Sequence, residues 1–517
     1  MSDTDTPEQK KLKALISRRH PAYDRMAAHW TFLEATYEGG REWFEANIHR
    51  YLKEGDTEFR DRVARAYRFN HTREVVHLIN KYLFKSPASR KIDDAPEEIK
   101  RFWENATLNG LTISQFMEFV STRSSVSGRP WIVVDNNKTS DIQTKADEER
   151  NGVRCYAYVI SPLDALDMAF DDAGQLLWIL IREKYRDDDD PMNSTGEVDT
   201  QFRLWTRETS RLFRTKVDEK GKVTVYEVLE AFVQHDLGLV PVIPGDHIIG
   251  DYTYTSPSLI DDVAYLDKAT ANYASNLDAI IQDQTFSQLA MPAQAVTPGT
   301  ETHDALVEMG TKRVFIYDGE GGEPKYLSPD PKQAAIILQV IQRIISEIYH
   351  TVGMAGERTK QDNAAGIDNS SGVAKAYDFE RMNSLLKAKA ASLEMIENHI
   401  NRVVMAWHSG TLTEKLVAYP ETFDVMSLFD EFAVAEQLML VGAPKEVRRQ
   451  QMELVIDKLF PDLSDELIKR LKGSLSDWLE EPDLEDPMGN APAPKSDRAH
   501  PNRTRDNRQG QVTADTE

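Results

Sequence analysis

GMAGERTKQDNAAGIDNSSG, residues Gly353 to Gly372, decides how this chain is read. From Lys332, just after Asp330-Pro331, to Val352, and again from Val373 to Ser409, neither Gly nor Pro occurs. A structureless loop of about 20 residues inside a compact domain is unusual and tends to be functional or disordered. Held between two stiff helical rods, it reads as a pliant element presented at a defined place, such as the wall of a channel.

Working outward, the rod before the loop carries Ile337, Ile341, Ile344 and Ile348 on one stripe, with Gly353 placed to terminate it. The rod after it carries Met382, Leu385, Leu386, Leu393, Ile396, Ile400, Val403 and Trp407 near helical spacing. An earlier run, Ser258 to Met291, is also free of breakers. Ser256-Pro257 stands before it as a cap followed by a first-turn proline, and Asp261 and Asp262 lie toward the positive end of its dipole. If helical throughout, its roughly 34 residues span about 50 Å. Between the first two rods, residues 292–328 read as a small strand-rich insert. Its clearest part is RVFIYDGEGGEPKYLS, a hairpin turning around Asp318 to Gly322.

The N-terminal hundred residues read as helices: Tyr23 to Tyr37, a long run from Glu58 to Phe84, Glu97 to Asn105, and Thr112 to Ser125 before Gly128 and Pro130. The period then changes. WIVVD, VRCYAYVI, LLWILIREKY, FRLWTRE, RLFRTK and VTVYEVLEAF are short β-branched and aromatic runs between turn residues, which predicts a largely antiparallel sheet. Helices followed by strands argue for an α+β class, mainly helical. Beyond the third rod, Ser427 to Val441, Pro444 to Leu459 and Ser464 to Trp478 read as a helical cap. Residues 481–517 have almost no apolar content and read as disordered.

The chain has 517 residues, 40% hydrophobic and 28% charged, enough for several globular domains. Its net charge is −23, which disfavours tight sequence-specific DNA binding over a broad surface. An acidic surface facing DNA suits a conduit better than a clamp, although acidity also serves solubility alone. No apolar run approaches the ~18–20 residues that cross a bilayer. The N-terminus carries no apolar signal segment. These absences suggest a protein made and kept in a cytoplasm-like compartment, away from membranes. The single cysteine, Cys155, excludes an intramolecular disulfide and argues against a cysteine-based zinc site. It reads as a small buried strand residue.

Catalytic signatures are missing. GIDNSSGVAK lacks the order of a phosphate-binding P-loop, His71 and His77 are too far apart for a helical zinc motif, and no G-x-S-x-G occurs. Asp187 to Asp190 offers the one acidic run that would suit a metal-dependent nuclease or hydrolase; flanked by Pro191 and polar residues, it reads as a solvated loop. No catalytic, cofactor-binding or metal-ligating residue is assigned, and the chain reads as a non-enzyme.

Three stretches carry a resemblance to a family. HPAYDRMAAHWTFLEATYEGG with FNHTREVVHLINKYLFKSP, then SPSLIDDVAYLDKATANYASNLDAIIQDQTFSQLAMP, then NSSGVAKAYDFERMNSLL resemble, in that order, parts of the portal proteins of tailed bacteriophages. The resemblance covers residues ~20–480, and the order of parts carries it more than any one motif. It implies a wing (1–256), a first stem helix (257–291), a clip (292–328), a second stem helix (329–352), a tunnel loop (353–372), a long wing helix (373–410), a crown (411–480) and a tail (481–517). It also implies a homo-oligomeric ring, usually a dodecamer in the virion, at the portal vertex of the capsid. Double-stranded DNA would pass through non-specifically in packaging and ejection. The terminase large subunit would dock at the clip, a head–tail adaptor would follow, and the major capsid and scaffolding proteins would surround the ring. On that reading Arg358, Lys360, Gln361 and Asn363 meet DNA in the tunnel loop. Asp261, Asp262, Asp267, Asp278 and Asp283 are candidate acidic lumen residues, and the Ile337/Ile341/Ile344/Ile348 stripe packs stem rods of neighbouring subunits. The rivals are the nuclease or hydrolase, another head–tail structural protein, and an oligomerising cellular scaffold.

Overall fold

The computed structural model describes residues 5–52, 54–137, 150, 152–188, 190–217, 221–252, 254–285, 288–292, 314–317, 325–327, 331–354, 372–423, 435, 438, 444–459 and 465–480. The chain divides into two compact units, Met1–Val425 and Met426–Glu517.

Unit 1 begins with helices α1 (Pro7–Ile16), α2 (Pro21–Glu38), α3 (Arg41–Asn47), α4 (Asp56–Arg65) and α5 (His71–Leu83). A short strand β1 (Ser89–Arg90), α6 (Glu97–Glu104) and α7 (Ile113–Ser127) follow. The run from Glu58 to Phe84, expected as one helix, is two. No glycine or proline divides it. Asn70 takes a left-handed φ of 43° and its side chain caps α5 by accepting from Arg73 N. The guanidinium of Arg68 lies 4.0 Å from the Trp43 ring centre and donates to Thr36 O. A tertiary contact outweighs local propensity here.

The β region forms two sheets. Strands β2 (Trp131–Asn136), β3 (Cys155–Ile160) and, later in the chain, β10 (Val242–Pro244) pair antiparallel in the order β10-β2-β3. Strands β4 (Ala165–Phe170), β5 (Leu176–Arg186), β6 (Val198–Thr206), β7 (Thr209–Val217) and β8 (Val223–Glu227) form an antiparallel meander, with β9 (Val233–Gln234) also on β7. The apolar run in β2 is continuous because both of its faces are covered. Ile132 and Val134 join a helical core with α5, α6 and α7, whereas Trp131 and Val133 join the core of the meander and α2.

Two long helices rise from this body. α8 (Val263–Thr285) has 23 residues, shorter than the ~34 expected. Its start is delayed because Ser256-Pro257 does not cap it: Ser258 Oγ donates to Ser125 O and Val126 O, fastening the segment to the end of α7. Gly128, at φ 78°, makes this possible, since a Cβ there would stand 2.0 Å from Ser256 O. Past Thr285 the chain enters strand β11 (Gln288–Pro292), so the small insert begins before residue 292. β11 lies between β12 (Val314–Tyr317), to which it is parallel, and β13 (Lys325–Leu327), to which it is antiparallel. The expected hairpin of β12 with β13 is therefore overturned, because β11 takes the pairing edge of both.

α9 (Pro331–Thr351) returns, ending at Gly353 with φ 74°. α10 (Gly372–Trp407) has 36 residues, about 54 Å by helical rise. It runs through the helical core, where Met382, Leu386, Leu393, Ile396, Ile400 and Val403 are buried. Strand β14 (Val417–Ala418) pairs with β1, and Asn398 on α10 bonds both N–H and C=O of Val417. Residues 411–425, grouped with the crown from sequence, thus belong to unit 1. In unit 2, α11 (Lys445–Leu459) and α12 (Asp465–Glu480) pack together. The helix expected from Ser427 to Val441 lies outside the described residues apart from 435 and 438, and the tail 481–517 lies outside them entirely.

Lys389 on α10 is fully buried, its Nζ within hydrogen-bond reach of Ser121 O (3.0 Å), Ser124 Oγ (3.2 Å) and His247 Nδ1 (2.8 Å). The nearby Asp246 carboxylate is committed to Arg129. Burial holds the Lys389 ammonium well below its usual pKa, and burial with Lys389 does the same to His247. The unfolded chain therefore binds more protons than the folded one between Lys389's folded pKa and its unfolded value of about 10.4. Stability contributed here is complete above that value and is lost as pH falls toward the folded pKa. Denaturant titrations of wild type and Lys389→Met should show a stability difference that shifts against wild type as pH is lowered from ~10, with a slope of up to about 1.4 kcal/mol per pH unit. A difference independent of pH would mean that the lysine is charged in the fold.

Candidate functional site: the helical hairpin and its anchored base

α8 and α9 pack as an antiparallel pair. Ala274 and Leu277 share a cleft of about 100 Å³ with Leu338 and Ile341, while Val263 shares the helical core with Ile348 and Val352. Residues early in α8 thus meet residues late in α9, and the β11–β13 sheet connects their far ends. The stripe predicted on α9 is the packed face: Ile348 is fully buried, Ile344 packs against the core, and Ile337 and Ile341 are half-buried. Its partner is α8 of the same chain. The expectation that this stripe packs neighbouring subunits is corrected for Ile348, which is sealed inside the subunit; Ile337, Ile341 and Ile344 keep part of their surface exposed.

A charged base fixes the hairpin to the body. Asp267, on α8, is fully buried. Its Oδ2 accepts from Thr72 N (3.1 Å) and Thr72 Oγ1 (2.7 Å), with Arg68 Nη1 at 3.4 Å. Thr72 lies in the first turn of α5, so the carboxylate meets the positive end of that helix dipole. Burial pulls the Arg68 guanidinium below its usual pKa, and Asp267 opposes the shift. About two helical turns along α8 from Asp267, Arg62 makes a paired contact to Glu54 (2.7 Å to each oxygen) and donates to Ser275 Oγ (3.0 Å) and His49 O (2.6 Å). That hydrogen-bonded guanidinium holds the Glu54 carboxyl below its usual range. Farther along, Arg65 reaches Asp278 at 3.2 Å, and Asn272 bonds Asn47 O and His49 N. On α9, Tyr349 donates to Glu74 and lies 3.2 Å from His71 Nδ1.

These contacts settle where the candidate acids lie. Asp267 cannot face a lumen, because it is sealed inside the subunit. Asp278 is half-buried beside Arg65, and Asp261 bonds His29 Nε2 (2.9 Å) and Ser258 N (3.0 Å). Asp262 is exposed. Asp283 lies on α8, with its side chain outside the described residues. Arg358, Lys360, Gln361 and Asn363 also lie outside them. The residues that sequence reasoning passed over are Arg62, Arg65 and Arg68. Three arginines at intervals of three, within a run rich in aromatic residues, were the available signal.

Elsewhere, Asp187 and Asp190 fold their loop: Asp187 accepts from Thr195 N and Oγ1, and Asp190 from Met192 N. Those bonds hold both carboxyls below the usual range. Cys155 is buried in β3, and burial pushes its thiol up to about 12. Among the described residues no group of three or more His, Cys, Asp or Glu is arranged to hold a metal, and no helix is long and apolar enough to cross a membrane.

No family model matches the chain, and no curated protein does. Among solved structures, a chain in the neck of an empty gene transfer agent particle, computed with C6 symmetry, is 11% identical. The likeness covers 79% of this chain and 99% of that one, with a TM-score of 0.37. A chain in the virion of a native gene transfer agent particle is 10% identical over 86% of this chain and 98% of its own, with a TM-score of 0.38. A chain in the neck of the native particle, computed with C12 symmetry, is 12% identical over 78% and 89%, with a TM-score of 0.36. Likenesses of this degree carry no argument about the present chain.

Removing one partner from a buried charged pair strands the other, a loss of about 3–5 kcal/mol. Asp267→Ala should therefore lower the unfolding free energy of the full chain by that amount in urea titrations. Asp262→Ala, on the exposed side of the same hairpin, should change it by no more than about 0.5 kcal/mol. Equal effects from the two substitutions would contradict the anchoring role of Asp267.

Proposed function

We propose that this chain is the ring-forming portal subunit of a tailed phage or phage-like particle, the DNA channel at one vertex of the capsid. The observation that carries the reading is the antiparallel pairing of α8 with α9, tipped by a small mixed sheet and rooted in an α+β body through buried charge. Such a rod pair is stiff along its length, and tertiary packing rather than propensity keeps it so. Repeated about an axis, it forms a tube wall.

On this proposal the body and α10 make the wing, the β11–β13 sheet makes the clip, and residues 353–372 make a loop at the constriction. The duplex would meet Arg358, Lys360, Gln361 and Asn363 there. The clip would dock the terminase large subunit during packaging and a head–tail adaptor afterwards, with major capsid and scaffolding proteins around the wing. Twelve copies complete the ring. The chain itself is a conduit, and the ATPase belongs to the motor that docks on it. The acidic-run alternative is disfavoured by geometry, since Asp187 and Asp190 use their carboxylates to close their own turn.

Electron microscopy of the purified full chain, alone and with its scaffolding protein, should show rings with an axial hole. Deletion of residues 356–368 should leave those rings intact and cut DNA packaging or retention in assembled particles. Loss of the rings on that deletion, or a metal-dependent hydrolytic activity abolished by changing Asp187 and Asp190, would overturn the proposal.

A further inference from the structure

The body carries a cleft of about 700 Å³ between the α6–α7 connector, α7 and strands β3, β5 and β6, and no residue of the hairpin lines it. Its rim is apolar and open to solvent: Leu108 is 61% exposed, Phe119 44% and Leu111 37%. That rim is fixed in place. Ala106 N–H donates to Leu111 O, Leu111 N–H to Thr107 Oγ1, and Ala157 N–H on β3 to Ala106 O. Tyr156 and Tyr158, alternate residues of β3 on one face of the strand, form a wall with their rings stacked at 6.1 Å. One carboxylate beside them lacks a cationic partner. Glu183 holds Arg203 through two contacts (2.7 and 3.3 Å) and accepts from Gln201 Nε2 (2.9 Å). Among the described residues, half-buried Asp135 accepts from neutral groups alone, Asn136 N (2.7 Å) and the Tyr156 hydroxyl (3.1 Å). Lys184 also lines the cleft, but as the neighbour of Glu183 on β5 it projects from the opposite face of the strand, exposed to solvent. Burial raises the Asp135 carboxyl above its usual pKa, and a docked cation would oppose that shift.

We infer that this cleft docks an arginine side chain of a partner protein, with apolar residues of the same segment seated on the Leu108, Leu111 and Phe119 rim. Chemistry selects that occupant. A guanidinium stacks its plane on tyrosine faces, and its fork of N–H groups matches a carboxylate that no other cation holds. An exposed apolar rim around a polar floor is the usual form of a protein-binding surface. Competing ligands fit less well. A phosphate would meet two carboxylates, Asp135 and Glu183. A purely apolar group would seal Asp135 away from water without a counter-charge, which is costly. A metal would find no group of three ligands among the described residues. Docking here does not depend on ring formation.

Fluorescence polarisation of the full chain with a fluorescein-labelled peptide, GLSRSLG, tests this. In an extended peptide its two leucines and its arginine share one face. The comparison peptide carries citrulline for arginine, which keeps the shape and removes the charge. The arginine peptide should bind saturably with a Kd below about 1 mM, and at least about tenfold tighter than the citrulline peptide. Asp135→Asn should weaken arginine binding by a similar factor and leave citrulline binding unchanged, so that the two peptides become alike. Phe119→Ala should weaken both peptides together. Asp172→Asn removes an exposed charge in the β4–β5 turn, outside the cleft, and should change neither. Equal binding of the two peptides to wild type, or no saturable binding up to about 1 mM, would overturn the docking site without recourse to any variant. An arginine preference that survives Asp135→Asn would overturn it as well.

Discussion

A buried carboxylate holds this architecture together. Asp267 leaves α8, enters the interior of the body and meets the first-turn amide and hydroxyl of Thr72 with Arg68 alongside. Burying such a charge in a low-dielectric interior is unfavourable, and here Oδ2 takes all of these contacts while Oδ1 has no hydrogen-bond partner among the described residues. Its consequences reach outward. Arg68 is fixed under Trp43, the α4–α5 connector is forced out of helical form, and α8 leaves the body at a set angle. Arg62 and Arg65 repeat the theme along the next turns of α8. Three cations, Arg62 and Arg65 on α4 and Arg68 on the connector after it, thus meet three polar positions on one rod.

With the base set, the far geometry follows from packing. The isoleucine stripe of α9 closes on α8, so the pair behaves as one rod rather than two helices awaiting partners. Having spent its apolar stripe internally, the hairpin presents other surfaces for assembly. Tyr67 and Phe69 stand exposed beside the α8–α9 cleft, and Ile336 lies exposed on α9. On the outer side of α9, Lys332, Gln339, Gln342, Arg343, Ser346 and Glu347 remain exposed.

Much of this was legible in the chain itself. Breaker-free runs located α9 and α10 to within a residue or two, and the isoleucine spacing correctly identified a packed face. Alternating β-branched runs separated the sheet region from the helices. What stayed hidden depended on partners distant in sequence. No glycine or proline divides Glu58 to Phe84; the break combines the Asn70 cap of α5 with Arg68 reaching Trp43 and Asp267. Nothing local stops α8 from starting at Ser258; the start is delayed because Ser258 bonds the end of α7. The RVFIYDGEGGEPKYLS segment looked like a hairpin because turn residues lie between two strands, yet β11 takes the pairing edge of both.

The sequence by itself determined which stretches are rods, strands and loops, because periodicity and breakers act within a few residues. Tertiary structure alone decided which carboxylates are buried, which apolar stripe is spent inside the subunit and which face of α9 is left to solvent. Those outcomes depend on contacts between residues some two hundred positions apart, such as Thr72 with Asp267 or Arg62 with Ser275. Charge counted along a chain carries no sign of where it will find a partner, and here the fold paired Asp261, Asp267 and Asp278 within the subunit while leaving Asp262 exposed.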